Sequence, residues 1–207
     1  MDFNASYQSF IKRVFPNAKI IADRFHLIQM INRVTNQTRI KMMKDFEQDT
    51  RPYRLYKSHW KLFLMQYKDL EKDKVQWWPH LRDRLTQKQL VNEALGLNSE
   101  FEDTYNVCQD LVYAIKHNQT DIIYDIITTT KTNNPILKTL LKTFKKNYKS
   151  IVEATRMPYS NGRIEGVNRK IKQIGRTAYG FKNWFNYRAR IYLEFKIKNK
   201  KRNPIRK

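Results

Sequence analysis

The chain has 207 residues, of which 41% are apolar and 13% aromatic; that supports a folded core and excludes a disordered polymer. Its net charge of +22 is extreme for an ordinary metabolic enzyme and points to a polyanionic partner. No apolar run reaches membrane-span length, the first residues lack a secretory pattern, and a single cysteine excludes a disulfide framework or a cysteine-rich zinc site, so the cytoplasm is the expected compartment and no membrane the expected partner.

In chain order, Tyr7, Phe10, Ile11 and Val14 recur at helical spacing, and Pro16-Asn17 ends that helix. The run AKIIAD (18–23) is short, apolar and partly β-branched, which predicts a buried parallel strand. Leu27, Ile31, Val34, Ile40 and Met43 predict a long helix after it. The middle, about 52–155, reads as entirely helical. Leu62, Phe63, Met65 and Leu70 continue one pattern until WWP (77–79) breaks it. TQKQLVNEALGL predicts a shorter helix ending near Gly96. Phe101, Tyr105, Cys108, Leu111, Val112 and Ile115 form one apolar stripe, with Cys108 a small core residue. DIIYDII is a further helix, and Pro135 opens a long one running from Ile136 to Val152.

The charge is concentrated at the end of the chain. Residues 156–207 hold 16 Lys/Arg and two acids, which is +14 of the +22. Within this region, PYSNGRIEGVNRKIKQIGRTAYGFK (158–182) predicts a helix capped by Ser160 or Asn161. Ile164, Val167, Ile171 and Ile174 form its apolar stripe; Glu165, Arg169, Lys172 and Arg176 gather on one flank. Two readings of Glu165 stand side by side. It is a first-turn anion matched to the helix dipole and paired with Arg169, worth roughly 0.3–0.5 kcal/mol. Alternatively it is a carboxylate ligand for a hard divalent cation, with the basic flank holding phosphate beside it.

One carboxylate does not hold a metal pair, so others must join it. Asp23 ends the predicted strand, where α/β sheets gather ligands, and His26 follows three residues on. Asp23 also fits a helix N-cap, and a lone histidine is more often a satisfied core group than a ligand. His59, His80 and His117 have no partners at ligand spacing. Tyr179, Phe181, Trp184 and Tyr187 interleave with cations; they either stack on splayed bases or pack the last helix.

The motifs D-x-N-A-S-Y, P-N-A-x-I-I-x-D-R-F-H and N-G-x-I-E-G-x-N-x-x-I-K-x-x-x-R-x-A-Y-G-F, taken together, resemble the C-terminal catalytic portion of DDE-type insertion-sequence transposases of the ISL-three family. The resemblance spans nearly the whole chain. It implies a mainly α chain carrying a partial ribonuclease-H-like α/β core with one or two short strands. Its parts would be residues 1–35 as the distal core, 36–157 as a helical insertion, 158–198 as the catalytic-Glu helix and closing helix, and 199–207 as a basic tail. It also implies metal-dependent DNA strand cleavage and transfer by a carboxylate triad. Asp2 matches the second catalytic Asp and Glu165 the final Glu, both as ligands of Mg2+ or Mn2+. Asp23, His26 and Asn168 would support the site, and Arg163, Arg169, Lys170, Lys172, Arg176 and Lys182 would hold DNA.

The first catalytic Asp is expected before Asp2, so the expectation is the distal part of a transposase, inactive alone. Its partners would be transposon-end and target DNA, a full-length transposase or a second copy. Two rival expectations are a non-catalytic, DNA-binding or transposase-inhibiting product, and a basic helical RNA-binding protein.

Overall fold

The computed structural model describes residues 5–157 and 162–196 and divides the chain into two compact units, residues 1–159 and 160–207. Among the described residues the architecture is mainly helical, with ten α-helices and one two-stranded antiparallel sheet. No described helix is long and apolar enough to cross a membrane.

In the first unit, α1 (Ala5–Val14) stops short of Pro16. The segment 18–23 is not a strand. Its composition favours one, but a strand needs a neighbour, and the only strands among the described residues pair with each other. Instead the Ala22 amide donates to the Ser150 carbonyl at 3.1 Å, so this run is laid against a helix. α2 (Arg24–Met43) follows, capped by Asp23.

α3 (Arg51–Ser58) has Thr50 as its N-cap and Pro52 in its first turn. The residues after it do not form one amphipathic helix, as the pattern suggests. They form two 3-10 turns, Leu62–Leu64 and Tyr67–Asp69, each closed at an extended residue. Nor is the middle entirely helical. β1 (Gln76–Trp78) pairs with β2 (Asp83–Leu85), with Trp77 opposite Arg84. Pro79 and the left-handed Arg82 (φ 53°) make the connection, and the Trp78 indole donates to the Leu85 carbonyl at 2.9 Å.

α4 (Gln87–Leu95) begins with a capping box between Thr86 and Gln89 and ends at Gly96. α5 (Ser99–Lys116) buries its whole predicted stripe. α6 (Thr120–Thr129) is the DIIYDII helix. The long helix expected from Ile136 to Val152 is two helices, α7 (Pro135–Lys146) and α8 (Tyr148–Arg156). Asn147 separates them, and its side-chain amide donates to the Thr143 carbonyl, a side-chain bond that competes with helix continuation.

Two apolar clusters fill this unit. One joins Leu27, Ile31 and Val34 of α2 to Cys108, Leu111 and Ile115 of α5, with Phe144 of α7 and Ile151 of α8. The other joins Met42 of α2 to Tyr56, Phe63, Trp78, Leu90, Phe101 and Tyr105. Each fully buried large side chain contributes about 1.5–3 kcal/mol of transfer free energy. Between them lies a satisfied polar pin. Asn134 is fully buried; its amide donates to the hydroxyls of Thr38 and Thr104, both at 2.9 Å, and its carbonyl oxygen accepts from the Ile136 amide.

The second unit is a helical hairpin of α9 (Gly162–Thr177) and α10 (Trp184–Glu194). α9 closes with the Gly180 amide on the Gly175 carbonyl at 2.9 Å, a bond that uses the left-handed conformation of Gly180 (φ 97°).

Candidate nucleic-acid and metal site

The Asp23 carboxylate accepts a hydrogen bond from the Phe25 amide at 2.9 Å, which fixes the start of α2. Its second oxygen stands 4.0 Å from His26 Nε2, the geometry expected for residues three apart on one helical face. His26 Nδ1 faces Gln29 Oε1 at 3.3 Å, and the His26 ring meets Phe25 edge-on at 5.5 Å. Asp23 is buried and His26 half-buried. The structure thus brings Asp23 and His26 together, and the N-cap reading of Asp23 holds at the same time.

Arg24, in the same Asp-Arg-Phe-His run, does not stand out from the sequence. Its guanidinium donates to the carbonyls of Ala154 and Thr155 at 2.7 and 2.8 Å. A cation on the last carbonyls of α8 satisfies orphan acceptors and complements the helix dipole. The only signal for it in the sequence is its position beside Asp23.

Glu165 lies in the first turn of α9 and is exposed. Arg169, Lys172 and Arg176 follow one, two and three turns on, and all are exposed, as is Asn168. The row read from the helical wheel is therefore real. Lys170 is held differently: its ammonium donates to the Glu194 carbonyl at 3.1 Å, stands 3.9 Å from the Glu194 carboxylate, and lies 4.8 Å over the Phe195 ring. Lys182 is exposed in the turn between α9 and α10. Asp2 and the expected caps Ser160 and Asn161 lie outside the described residues, as does the side chain of Arg163.

The four aromatics divide. Tyr187 is packed: its hydroxyl donates to the Ile171 carbonyl at 2.8 Å, and its ring meets Phe181 at 4.9 Å and Trp184 at 5.8 Å. Tyr179 is fully exposed in a left-handed conformation (φ 51°), and Trp184 and its neighbour Phe185 are exposed. Among the other histidines, His59 does have a neighbour. Its ring meets Trp78 edge-on at 4.4 Å and His80 at 6.2 Å.

In the second unit, a carboxylate in the first turn of α9 with a basic row behind it is suited to phosphate and cation chemistry; in the first unit, the Asp-x-x-His element caps α2. The DDE-type ISL-three transposase family, described as a transposase, matches residues 1–191 of this sequence. The chain belongs to that family. A curated protein of Lactococcus lactis subsp. lactis named an ATP-dependent protease is 33% identical over 113 residues, which are 53% of this chain and 35% of that one. The chain therefore spans about a third of that relative's length. No solved structure matches.

Proposed function

We propose that this chain is the distal part of a DNA transposase, binding DNA through α9 and contributing Asp2 and Glu165 to a metal-dependent strand-transfer site on a ribonuclease-H-like core. The observation that carries the reading is the exposed row from Glu165 through Arg169 and Lys172 to Arg176, in a chain that belongs to the transposase family. Hard carboxylate oxygens fit Mg2+ or Mn2+, and the exposed Glu165 is open to an ion arriving from solvent. A divalent metal pair, when bound, supplies activation of a hydroxyl and stabilisation of charge on the phosphate.

The residues of the chain then have separate tasks. Glu165 and Asp2 would hold the metal, together with the third carboxylate that a carboxylate triad requires. Asp23 sets the start of α2 and stands beside His26, and Asn168 lies one turn from Glu165 on α9. Arg163, Arg169, Lys170, Lys172, Arg176 and Lys182 would neutralise phosphates, which positions DNA without reading its sequence. The protease name of the Lactococcus relative does not carry over. Gly175 and Gly180 have the glycine spacing of a phosphate loop, but Phe181 stands where its lysine belongs, and the segment ends a helix instead of opening one.

The test is binding and metal titration on the full chain. Duplex DNA is expected to bind with steep salt dependence and more tightly than duplex RNA of the same length at matched salt. Mn2+ binding followed by electron paramagnetic resonance is expected to weaken in Glu165→Gln and Asp2→Asn. A preference for RNA, or Mn2+ binding unchanged in both variants, overturns the reading.

A further inference from the structure

The second unit contains a cavity of about 540 Å³ lined by Lys172, Gly175, Arg176, Gly180, Phe181 and Tyr187. Two of its lining residues are glycines. The Tyr187 ring packs over Gly175, where a Cβ would stand in ordinary contact with it, 3.4 Å from the hydroxyl. Gly180, at φ 97°, turns the chain so that Phe181 returns over Tyr187, and a Cβ there would meet nothing within 4 Å, which leaves the mouth open. Tyr187 is fixed from behind by its bond to the Ile171 carbonyl. Phe181 leans on it with the two rings 34° apart and remains half-exposed.

The lining therefore has two chemistries. One wall is aromatic, formed by Phe181 and Tyr187. The rim carries two exposed cations, Lys172 and Arg176, one helical turn apart. The volume lies within the range of small-molecule sites, about 300–1,000 Å³. An aromatic face beside paired cations matches a planar base attached to a phosphate. A paired duplex cannot use such a face, because its bases are stacked on each other and show only their edges.

We propose that this cavity takes one unstacked nucleotide of a DNA strand, the base on Phe181 and the phosphate on Lys172 and Arg176. This rests on the DNA-binding reading of α9 and adds to it: α9 contacts the backbone in any duplex, whereas the cavity discriminates in favour of an extrahelical base. Base–aromatic stacking tolerates any sequence, so the preference is for an unpaired position and not for a particular base.

The experiment compares two probes by fluorescence anisotropy at one salt concentration: a fully paired duplex and the same duplex with a single-nucleotide bulge. The chain is expected to bind the bulged duplex about tenfold more tightly, a stacking-sized effect. Phe181→Leu is expected to abolish that preference while paired-duplex affinity stays near that of the parent chain. Phe181→Trp is expected to restore it, which separates stacking from a merely structural role. Circular dichroism of each variant monitors the helical hairpin. Equal affinity for both probes in the parent chain overturns the cavity proposal and leaves the DNA reading standing. A preference that survives Phe181→Leu also overturns it. No binding to either probe overturns both.

Discussion

The Asp23 carboxylate accepts the Phe25 amide at 2.9 Å and at the same time stands 4.0 Å from His26 Nε2, so one side chain caps a helix and faces an imidazole. The two duties separate by substitution. Asp23→Ala removes the cap and is expected to cost about 1 kcal/mol. In a chain of this size that is about 2–4 °C in Tm. Asp23→Asn keeps the capping oxygen and is expected to hold Tm near its original value, while weakening any Mn2+ binding that depends on the charge. Thermal melts of both variants check the first claim and Mn2+ titration the second. Equal loss of stability in the two would show that the charge, not the cap, matters to folding.

The buried Asn134 is expected to be the most sensitive polar residue of the first unit. It caps α7 and satisfies two buried hydroxyls at once, on α2 and α5. Asn134→Ala loses the cap and leaves Thr38 and Thr104 each short of a partner, for an expected loss of about 2–4 kcal/mol. Urea unfolding measures it. A loss under about 1 kcal/mol would mean that the hydroxyls find other donors.

Stability should fall on mild acidification because of His59. Its Nε2 is buried and has no hydrogen-bond partner among the described residues. Burial first, and then neighbouring His80, hold its pKa below the ordinary histidine value. The unfolded chain therefore binds the proton more readily than the folded one. Stability is full above the unfolded pKa of about 6.5 and declines as pH falls below it toward the folded value. Tm measured across that window is expected to drop less in His59→Phe than in the parent chain. Parallel curves for the two would rule out His59 as the cause.

The basic row should differ residue by residue in DNA binding. Removing a cation that neutralises one phosphate is expected to make the slope of log K against log salt shallower by about 0.9. Arg169→Ala, Lys172→Ala and Arg176→Ala should each show this. Lys170→Ala should show less, because Glu194 already holds its ammonium, and should instead lower the stability of the helical hairpin. A full slope change for Lys170 would mean that DNA displaces Glu194.

The legible parts of the fold were those set by local periodicity. The stripe from Phe101 to Ile115 appears as the buried face of α5, and the basic row of α9 lies where the wheel puts it. What was not legible depended on partners distant in sequence. The apolar run 18–23 looks like a strand, yet Ala22 finds the Ser150 carbonyl 128 residues on. The hairpin was hidden because its strands have three residues each, too short for alternation to show, although Pro79 marked the break. The division of α7 from α8 was marked only by Asn147, a residue type found inside helices as well as at their ends. At the site, the Asp23 cap was readable because a cap is local. The cavity at Phe181 was not, since it forms where the Tyr187 ring of α10 packs over Gly175 of α9, twelve residues away.

α2 and α5 each run through both apolar clusters, α2 with Ile31 in one and Met42 in the other, α5 with Leu111 and Phe101. Two rods shared in this way couple the clusters, so the opening of one is expected to destabilise the other. Amide hydrogen exchange along α2 should accordingly be slowest at its centre and report a single cooperative opening, and damage near the Trp78 hairpin should be felt as far away as Ile151.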